Sequence, residues 1–338
     1  MIENKKILVT GAGGFIGGHL VKELLKGGNQ IIAADIKPLS YWFQLHETSK
    51  NYSVDLKDKN SCLELTNNID YVFNMACNMG GMGFIEHNKA ECMLSVLINT
   101  HLLESCIKNK VKRYFFSSSA CVYNAQKQNK FFIEGLKEED AYPAEPEDGY
   151  GWEKLFSERM CRHFNEDFGL DVRIARYHNI YGPLGTFDGG REKAPAALCR
   201  KIATAKIKNN LEIDVWGDGE QTRTFLFIND CIEGTIKLFN SNYTKPLNIG
   251  SDEQVSINQM VKIIEEIAGV SNLKKNYQLN MPKGVKGRSS NNDLAKKVLK
   301  WNYSKKLSEG LSITYKWIFE QLTSKKSNIE KFQRSNYE

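Results

Sequence analysis

Residues 5–36 read KKILVTGAGGFIGGHLVKELLKGGNQIIAADI. Ile7 to Val9 form a short apolar run. Leu20, Val21, Leu24 and Leu25 recur at helical spacing before Gly27 and Gly28 stop the helix. A second apolar run then ends at Asp35, so the stretch is a βαβ unit. Between its first strand and its helix, Gly11, Gly14 and Gly17 give G-x-x-G-x-x-G. The first glycine allows the tight turn, the second lets a pyrophosphate approach the backbone, and the third lets the helix pack closely on the strand. The helix N-terminus faces the phosphates. Asp35 follows Gly17 by 18 residues. A carboxylate there accepts hydrogen bonds from a ribose 2'-hydroxyl and repels a 2'-phosphate, which favours NAD over NADP.

Working outward, further apolar strands are expected at Ile69 to Met75, Arg113 to Phe116 and Val172 to Ala175, separated by helix-length segments. Their apolar character is continuous rather than alternating, as in strands buried on both faces. The fold class predicted is α/β, a Rossmann-type doubly wound parallel sheet with a smaller C-terminal substrate-binding lobe. Residues 1–180 form the dinucleotide-binding part on this reading, with 222–250 returning to it. Residues 181–221 and 251–322 form the second lobe, where glycine, proline and charged loops mix with helices. Residues 323–338 are polar and read as a flexible tail. One helix of the lobe is well marked: Ser256 and Gln259 make a capping box, and Met260, Val261, Ile264 and Ile267 a buried stripe.

The chain has 338 residues, 41% hydrophobic and 25% charged, the proportions of a globular protein rather than a disordered or fibrous one. The net charge is +6, but the lysines are spread along the chain and the densest cluster, Lys296 to Lys306, alternates with apolar residues, which argues against nucleic acid. No apolar stretch is long enough to span a membrane, and MIENKK runs straight into a strand, so the expected address is the cytoplasm. Eight cysteines without C-x-x-C spacing suggest reduced thiols, and no metal site is expected.

Two further stretches carry chemistry. SSSACVYN, residues 117–124, ends a buried strand in hydroxyls and a thiol. YGWEK places Tyr150 and Lys154 on one helix face. A free tyrosine has a pKa of about 10, and an adjacent ammonium together with a positively charged nicotinamide would lower it toward neutrality. Tyr150 could then take a proton from a sugar hydroxyl while Ser119 holds the oxygen.

The glycine turn, the strand-end serines and Y-x-x-x-K, in this order, resemble the extended short-chain dehydrogenase/reductase family. The strings MGGMGFIEHN, SSACVY, YPAEPEDGYGWEK, RYHNIYGPLGTFDGGREKAPAALCRK, WGDGEQTRTF and NIGSDE resemble the GDP-mannose 3,5-epimerases within it, from Lys5 to about Leu322. That resemblance implies NAD as cofactor, a GDP-sugar as substrate, a nucleotide-sugar-binding role for the second lobe, and a homodimer paired through the helix around Met93 to Ile107. It implies Cys121 and Lys193 as the acid/base pair acting beside the Tyr150, Lys154 and Ser119 group. Two such groups suit the chemistry, because oxidation at carbon 4 makes the hydrogens on carbons 3 and 5 removable, and inversion needs one group to take a proton and another to return one. It further implies cofactor contacts at Phe15, Ile16, Asp55 and Leu56. Substrate contacts are implied at Gly80, Gly81, Asn179, Glu192, Lys201, Gln221, Arg223 and Arg288, with His178 as a hydrogen-bonded core histidine. Asn124 stands where that family commonly has proline. The competing readings are an epimerase of a related GDP-sugar, an NADPH-dependent epimerase/reductase, which Asp35 opposes, and a dinucleotide-sensing regulator, which would not need Cys121, Tyr150, Lys154 and Lys193 together.

Overall fold

The strand that opens the chain, β1 (Lys6–Thr10), is flanked by β2 (Gln30–Asp35) and β4 (Tyr71–Asn74), all parallel. β3 (Lys50–Ser53), β5 (Arg113–Ser119), β6 (Asp171–Tyr177) and a late strand, β11 (Pro246–Ile249), complete a seven-stranded sheet of order β11-β6-β5-β4-β1-β2-β3. The structure is a computed structural model and describes residues 2–324 and 329–333. Side chains alternate between two cores: Ile7, Val9, Phe73 and Phe115 enter one, while Leu8, Val72, Tyr114 and Phe116 enter the other. This is why the strands read as unbroken apolar runs.

The second of those cores is covered by α2 (Lys59–Leu65), α5 (Ser95–Lys108) and α6 (Tyr150–Phe168). The first is covered by α1 (Phe15–Leu25) and α8 (Ile228–Asn240). Strand order reverses between β1 and β4, so the chain leaves them in opposite directions and opens a crevice at their C-terminal ends. Two short helices, α3 (Met82–His87) and α4 (Lys89–Met93), follow β4, so the segment read as one helix from Met93 to Ile107 is broken at Leu94. No helix among the described residues is long and apolar enough to cross a membrane.

The second lobe packs α7 (Ala194–Ile207), α9 (Ile257–Ala268) and α11 (Leu307–Thr323) on one another. Beside them β8 (Glu212–Trp216) pairs with β13 (Lys274–Gln278), and β9 (Thr222–Thr224) with β12 (Gln254–Ser256); α10 (Asp293–Leu299) lies against α8 and β11. Short strands β7 (Ile180–Tyr181) and β10 (Leu226–Phe227) pair at the junction. Of residues 222–250, α8 and β11 lie with the large sheet, while β9 stays with the lobe because its ladder partner is β12. Ser256 and Gln259 cap α9 reciprocally; Met260, Val261 and Ile264 are fully buried, and Ile267 is half-buried.

The polar tail expected from Thr323 needs a correction. Within residues 329–333, Glu330–Phe332 make a 3-10 turn whose Phe332 is 3% exposed, packed on Phe43, Phe187 and Trp317. One aromatic side chain in an otherwise polar segment anchors it, and composition averaged over the segment hid that. The rest of 325–338 lies outside the described residues.

Candidate active site

The crevice holds a cavity of about 530 Å³. On one side it is lined by Gly11, Gly14, Phe15, Ile16, Gly17, Asp35, Asp55 and Leu56. On the other stand Ser119, Tyr150 and Lys193. Gly11 has φ +65°, and a Cβ on Gly17 would lie 2.2 Å from the Gly11 carbonyl oxygen, so turn and helix meet backbone to backbone. Helix α1 opens on Gly14 with no side-chain cap and no acidic residue in its first turn, an N-terminus suited to an anion. Asp35 ends β2 with a buried carboxylate that accepts the Lys37 N–H at 3.0 Å. Burial raises its pKa, and Lys37 pulls it the other way. Lys37, which local spacing did not single out, donates to the Gly13 carbonyl at 3.2 Å and lies 3.8 Å from the Phe43 ring centre. Burial lowers its pKa to about 8.

Ser119 closes β5 and accepts the Cys121 N–H at 3.2 Å, which winds residues Ala120–Val122 into a single 3-10 turn. Tyr150 is the first residue of α6. That helix approaches the cysteine turn closely because a Cβ on Gly151 would lie 2.4 Å from the Cys121 carbonyl oxygen. Cys121 and Tyr150 pack in one small apolar cluster with Phe84, Ile85, Cys77 and Cys92. Lys154 does not line the cavity. It is buried one turn behind, 4.8 Å from the Phe116 ring centre, 5.6 Å from that of Tyr150, and 3.4 Å from the Glu153 carboxylate. Burial, the two thiols and Glu153 hold Tyr150 well above its ordinary pKa, and Glu153 offsets the lysine charge.

Lys193 immediately precedes α7 without capping it by its side chain, and Pro195 is the second residue of the helix. Burial lowers its pKa, with Cys121 acting in the opposite direction. Gly80 and Gly81 lie tightly against the segment that carries Lys193: a Cβ on Gly81 would meet the Glu192 carbonyl at 2.4 Å, and one on Gly80 would meet Phe84 and Arg191. The Gly81 N–H donates to the Arg191 carbonyl at 3.0 Å. The two glycines therefore seat the loop that carries Lys193. Arg191 itself stacks on Phe84, 3.8 Å from the ring centre, and lines the cavity. Glu192 accepts the Gly190 N–H at 2.7 Å and turns toward Arg200.

The remaining substrate candidates stand apart from the large cavity. Asn179, at φ +46°, donates to the Thr224 carbonyl at 3.0 Å. Lys201 donates to the Asp214 carbonyl at 2.7 Å, and Gln221 to that of Trp216 at 3.1 Å. The other amide atom of Gln221, Oε1, is buried without a hydrogen-bond partner among the described residues, beside a cavity of about 90 Å³. Arg223 donates to the Lys283 carbonyl at 3.0 Å, and burial lowers its pKa to about 10. Arg288 is buried against Cys121, Gln128 and Glu147. His178 is a core histidine hydrogen-bonded to Asn248 at 2.9 Å, its pKa pushed down to about 3 by burial. Asn124 caps the turn Ala125–Gln128 through the Gln126 N–H at 2.8 Å. Among the described residues no cluster of His, Cys, Asp or Glu could hold a metal.

The model of the NAD dependent epimerase/dehydratase family matches residues 7–250. GDP-mannose 3,5-epimerase of Arabidopsis thaliana is 45% identical over 326 residues, 96% of this chain and 85% of that protein. Among solved structures, UDP-glucuronic acid 4-epimerase of Bacillus cereus, in complex with UDP-glucuronic acid and NAD, is 27% identical with a TM-score of 0.79, covering 94% of this chain and 99% of that one. UDP-glucose 4-epimerase of Thermotoga maritima, with UDP-glucose, is 25% identical with a TM-score of 0.84 and the same coverages. The backbone-to-backbone glycine turn, the uncapped helix start and the buried Asp35 suit the NAD that the Bacillus cereus enzyme holds. The chain belongs to the NAD-dependent epimerase/dehydratase family, and NAD is its cofactor.

Proposed function

We propose that this protein is a GDP-sugar epimerase that inverts carbons 3 and 5 of GDP-mannose through a transient 4-keto sugar, without net redox change. The observation that carries the reading is a strand-end thiol, Cys121, packed with Tyr150 at the end of β5 and close enough to Lys193, at the start of α7, to act on the titration of that ammonium. The 45% identity to a GDP-mannose 3,5-epimerase over 96% of the chain supports the choice of sugar and nucleotide. When bound, NAD supplies the two-electron acceptor for carbon 4 and gives the same electrons back. Gly11, Gly14, Phe15, Ile16, Gly17, Asp35, Asp55 and Leu56 hold it, with Tyr150 and Lys154 at its reactive end.

The protein groups then do the following. Tyr150 takes the proton of the 4-hydroxyl while Ser119 holds that oxygen. Cys121 and Lys193 exchange protons with carbons 3 and 5, which are acidic only while carbon 4 is a ketone. Lys201, Gln221, Arg223 and Arg288 contact the nucleotide diphosphate, for which a guanidinium fork is well shaped. Asn179, Glu192, Gly80 and Gly81 border the sugar. We further propose a cytoplasmic homodimer with no nucleic-acid or membrane partner. The apolar side chains of Met93, Leu94 and Leu97, together with Trp152 and Phe156 of α6, are exposed and supply a face for a second copy. Sedimentation as a monomer at micromolar concentration would remove the dimer.

Incubation of the protein as purified with GDP-mannose in deuterated water, with no added cofactor, tests the function. Deuterium is expected at carbons 3 and 5. Deuterium at carbon 5 alone would restrict the enzyme to one centre, and none at either carbon would refute the reading.

A further inference from the structure

Two loops wall the end of the crevice marked by Asp35. One is the connection between β2 and β3. A Cβ on Gly13 would lie 2.7 Å from the Trp42 ring, and the Phe43 N–H donates to the Gly13 carbonyl at 3.0 Å. Trp42 and Phe43 therefore lie directly on the glycine turn, and Phe43 lines the cavity. The other wall is the loop after β7. Gly185 and Thr186 line the cavity, and a Cβ on Gly185 would lie 3.1 Å from Phe15, the first residue of α1. The residues that follow are fixed to α7, where Arg200 donates to the Phe187 carbonyl at 2.9 Å and reaches Asp188 at 3.3 Å.

The terminal turn Glu330–Phe332 joins these two walls. Lys331 Nζ donates to the Phe43 carbonyl at 3.3 Å, across 288 residues of chain. The Phe332 carbonyl accepts the Phe187 N–H at 3.1 Å and the Asp188 N–H at 3.4 Å. The Phe332 ring, 3% exposed, lies 5.3 Å from that of Phe43 and 6.0 Å from that of Phe187, centre to centre, with Trp317 of α11 edge-on at 5.0 Å. Each wall thus receives an aromatic contact and a hydrogen bond at its main chain from the same short turn.

We propose that this turn is a clasp across the cofactor crevice, and that Phe332 is a positioning residue for the retention of NAD. The turn does not line the cavity and acts through Phe43 and the loop at 185–188. Moving either wall outward parts a buried ring contact, breaks a main-chain hydrogen bond and exposes apolar surface. An epimerase returns to its sugar the electrons it takes, so its NAD has no need to exchange between turnovers, and a crevice held shut does not slow the cycle. The inference depends on the NAD-binding crevice and not on which sugar is epimerised.

The test compares wild type with Phe332→Ala, Phe332→Leu, Lys331→Ala and Leu103→Ala, each loaded with NAD. Leu103 is fully buried in the core on the other face of the sheet, so its variant is the control for loss of stability alone. Urea unfolding is measured beside the rate at which bound NAD exchanges with excess deuterium-labelled NAD, read by mass spectrometry of the cofactor. Exchange is expected to be about tenfold faster or more in Phe332→Ala, because the walls can then part by a local opening that no longer has to free the turn. Phe332→Leu, which keeps much of the apolar bulk, and Lys331→Ala, which loses one hydrogen bond, are expected to fall between Phe332→Ala and wild type. Leu103→Ala is expected to unfold at lower urea and yet exchange at the wild-type rate. An unchanged rate in Phe332→Ala overturns the inference. So does an equal acceleration in Leu103→Ala, since general loss of stability would then explain both. If Phe332→Ala does not fold, Phe332→Leu and Lys331→Ala decide, and wild-type exchange in both overturns the clasp.

Discussion

Replacing Gly17 with alanine adds one carbon where the structure has least room for it. That Cβ would lie 2.2 Å from the Gly11 oxygen, 2.8 Å from the Gly11 carbonyl carbon and 2.9 Å from the Ala12 Cα. All three contacts are backbone, so no rotamer change relieves them. The first turn of α1 and the turn after β1 must separate by about 1 Å to restore ordinary contact, an overpacking that costs about 1–3 kcal/mol. The same shift moves the Gly11 to Gly17 backbone that would receive the pyrophosphate, and a displacement of that size typically lowers function by about 100-fold. Gly18→Ala, one residue along the same helix, is the control. Its Cβ would meet mainly the side chain of Gln44, at 2.9 Å, which can move, and alanine is the better helix former by about 1 kcal/mol. Urea unfolding and the NAD content of purified protein are the assays. Gly17→Ala is expected to unfold at lower urea and to be purified largely without nucleotide, with Gly18→Ala close to wild type in both. A Gly17→Ala protein that keeps its stability and its NAD would refute the reasoning, because the close approach of helix and turn would then not govern cofactor binding.

Cys121→Ala is expected to abolish deuterium incorporation while leaving NAD bound; loss of NAD would mark the cysteine as structural. Phe332→Ala removes a ring that is 3% exposed between Phe43, Phe187 and Trp317. It should cost about 3–5 kcal/mol in urea unfolding, and a negligible loss would show that the terminal turn contributes nothing. His178 is held neutral in the fold by burial, with a pKa of about 3, whereas in the unfolded chain it titrates near the ordinary histidine value of 6.5. The unfolded state therefore binds more protons between those limits, so stability is full above pH 6.5 and falls as pH drops, by at most about 1.4 kcal/mol per pH unit. His178→Gln should flatten that acid slope; an unchanged slope in urea unfolding between pH 4 and 7 would assign it to other groups.

The dinucleotide turn was legible because everything it needs lies within residues 5–36, and the geometry of strand, turn and helix is local. The same holds for the capping box of α9 and for Tyr150 and Lys154, whose spacing of one helical turn places them together wherever the helix goes. The alternating burial of β1, β4 and β5 in two cores explains why a parallel sheet could be read from unbroken apolar runs. What spacing could not provide is any contact between distant segments. Arg288 reads as a substrate contact, and only the fold shows its protein partners, Gln128 and Glu147, 160 and 141 residues away. Gly80 and Gly81 read only as substrate contacts, and it is the approach of the Arg191 to Lys193 backbone that explains why a side chain there has no space. Tyr150 and Lys154 share a helix face, while burial, the Cys77 and Cys121 thiols and Glu153 raise the pKa of the phenol, and the thiols come from other segments of the chain. Local sequence determined which elements form and which ends of the strands carry reactive groups. The tertiary structure decided which charges those groups meet and how much water they lose, because both depend on residues far apart in the chain.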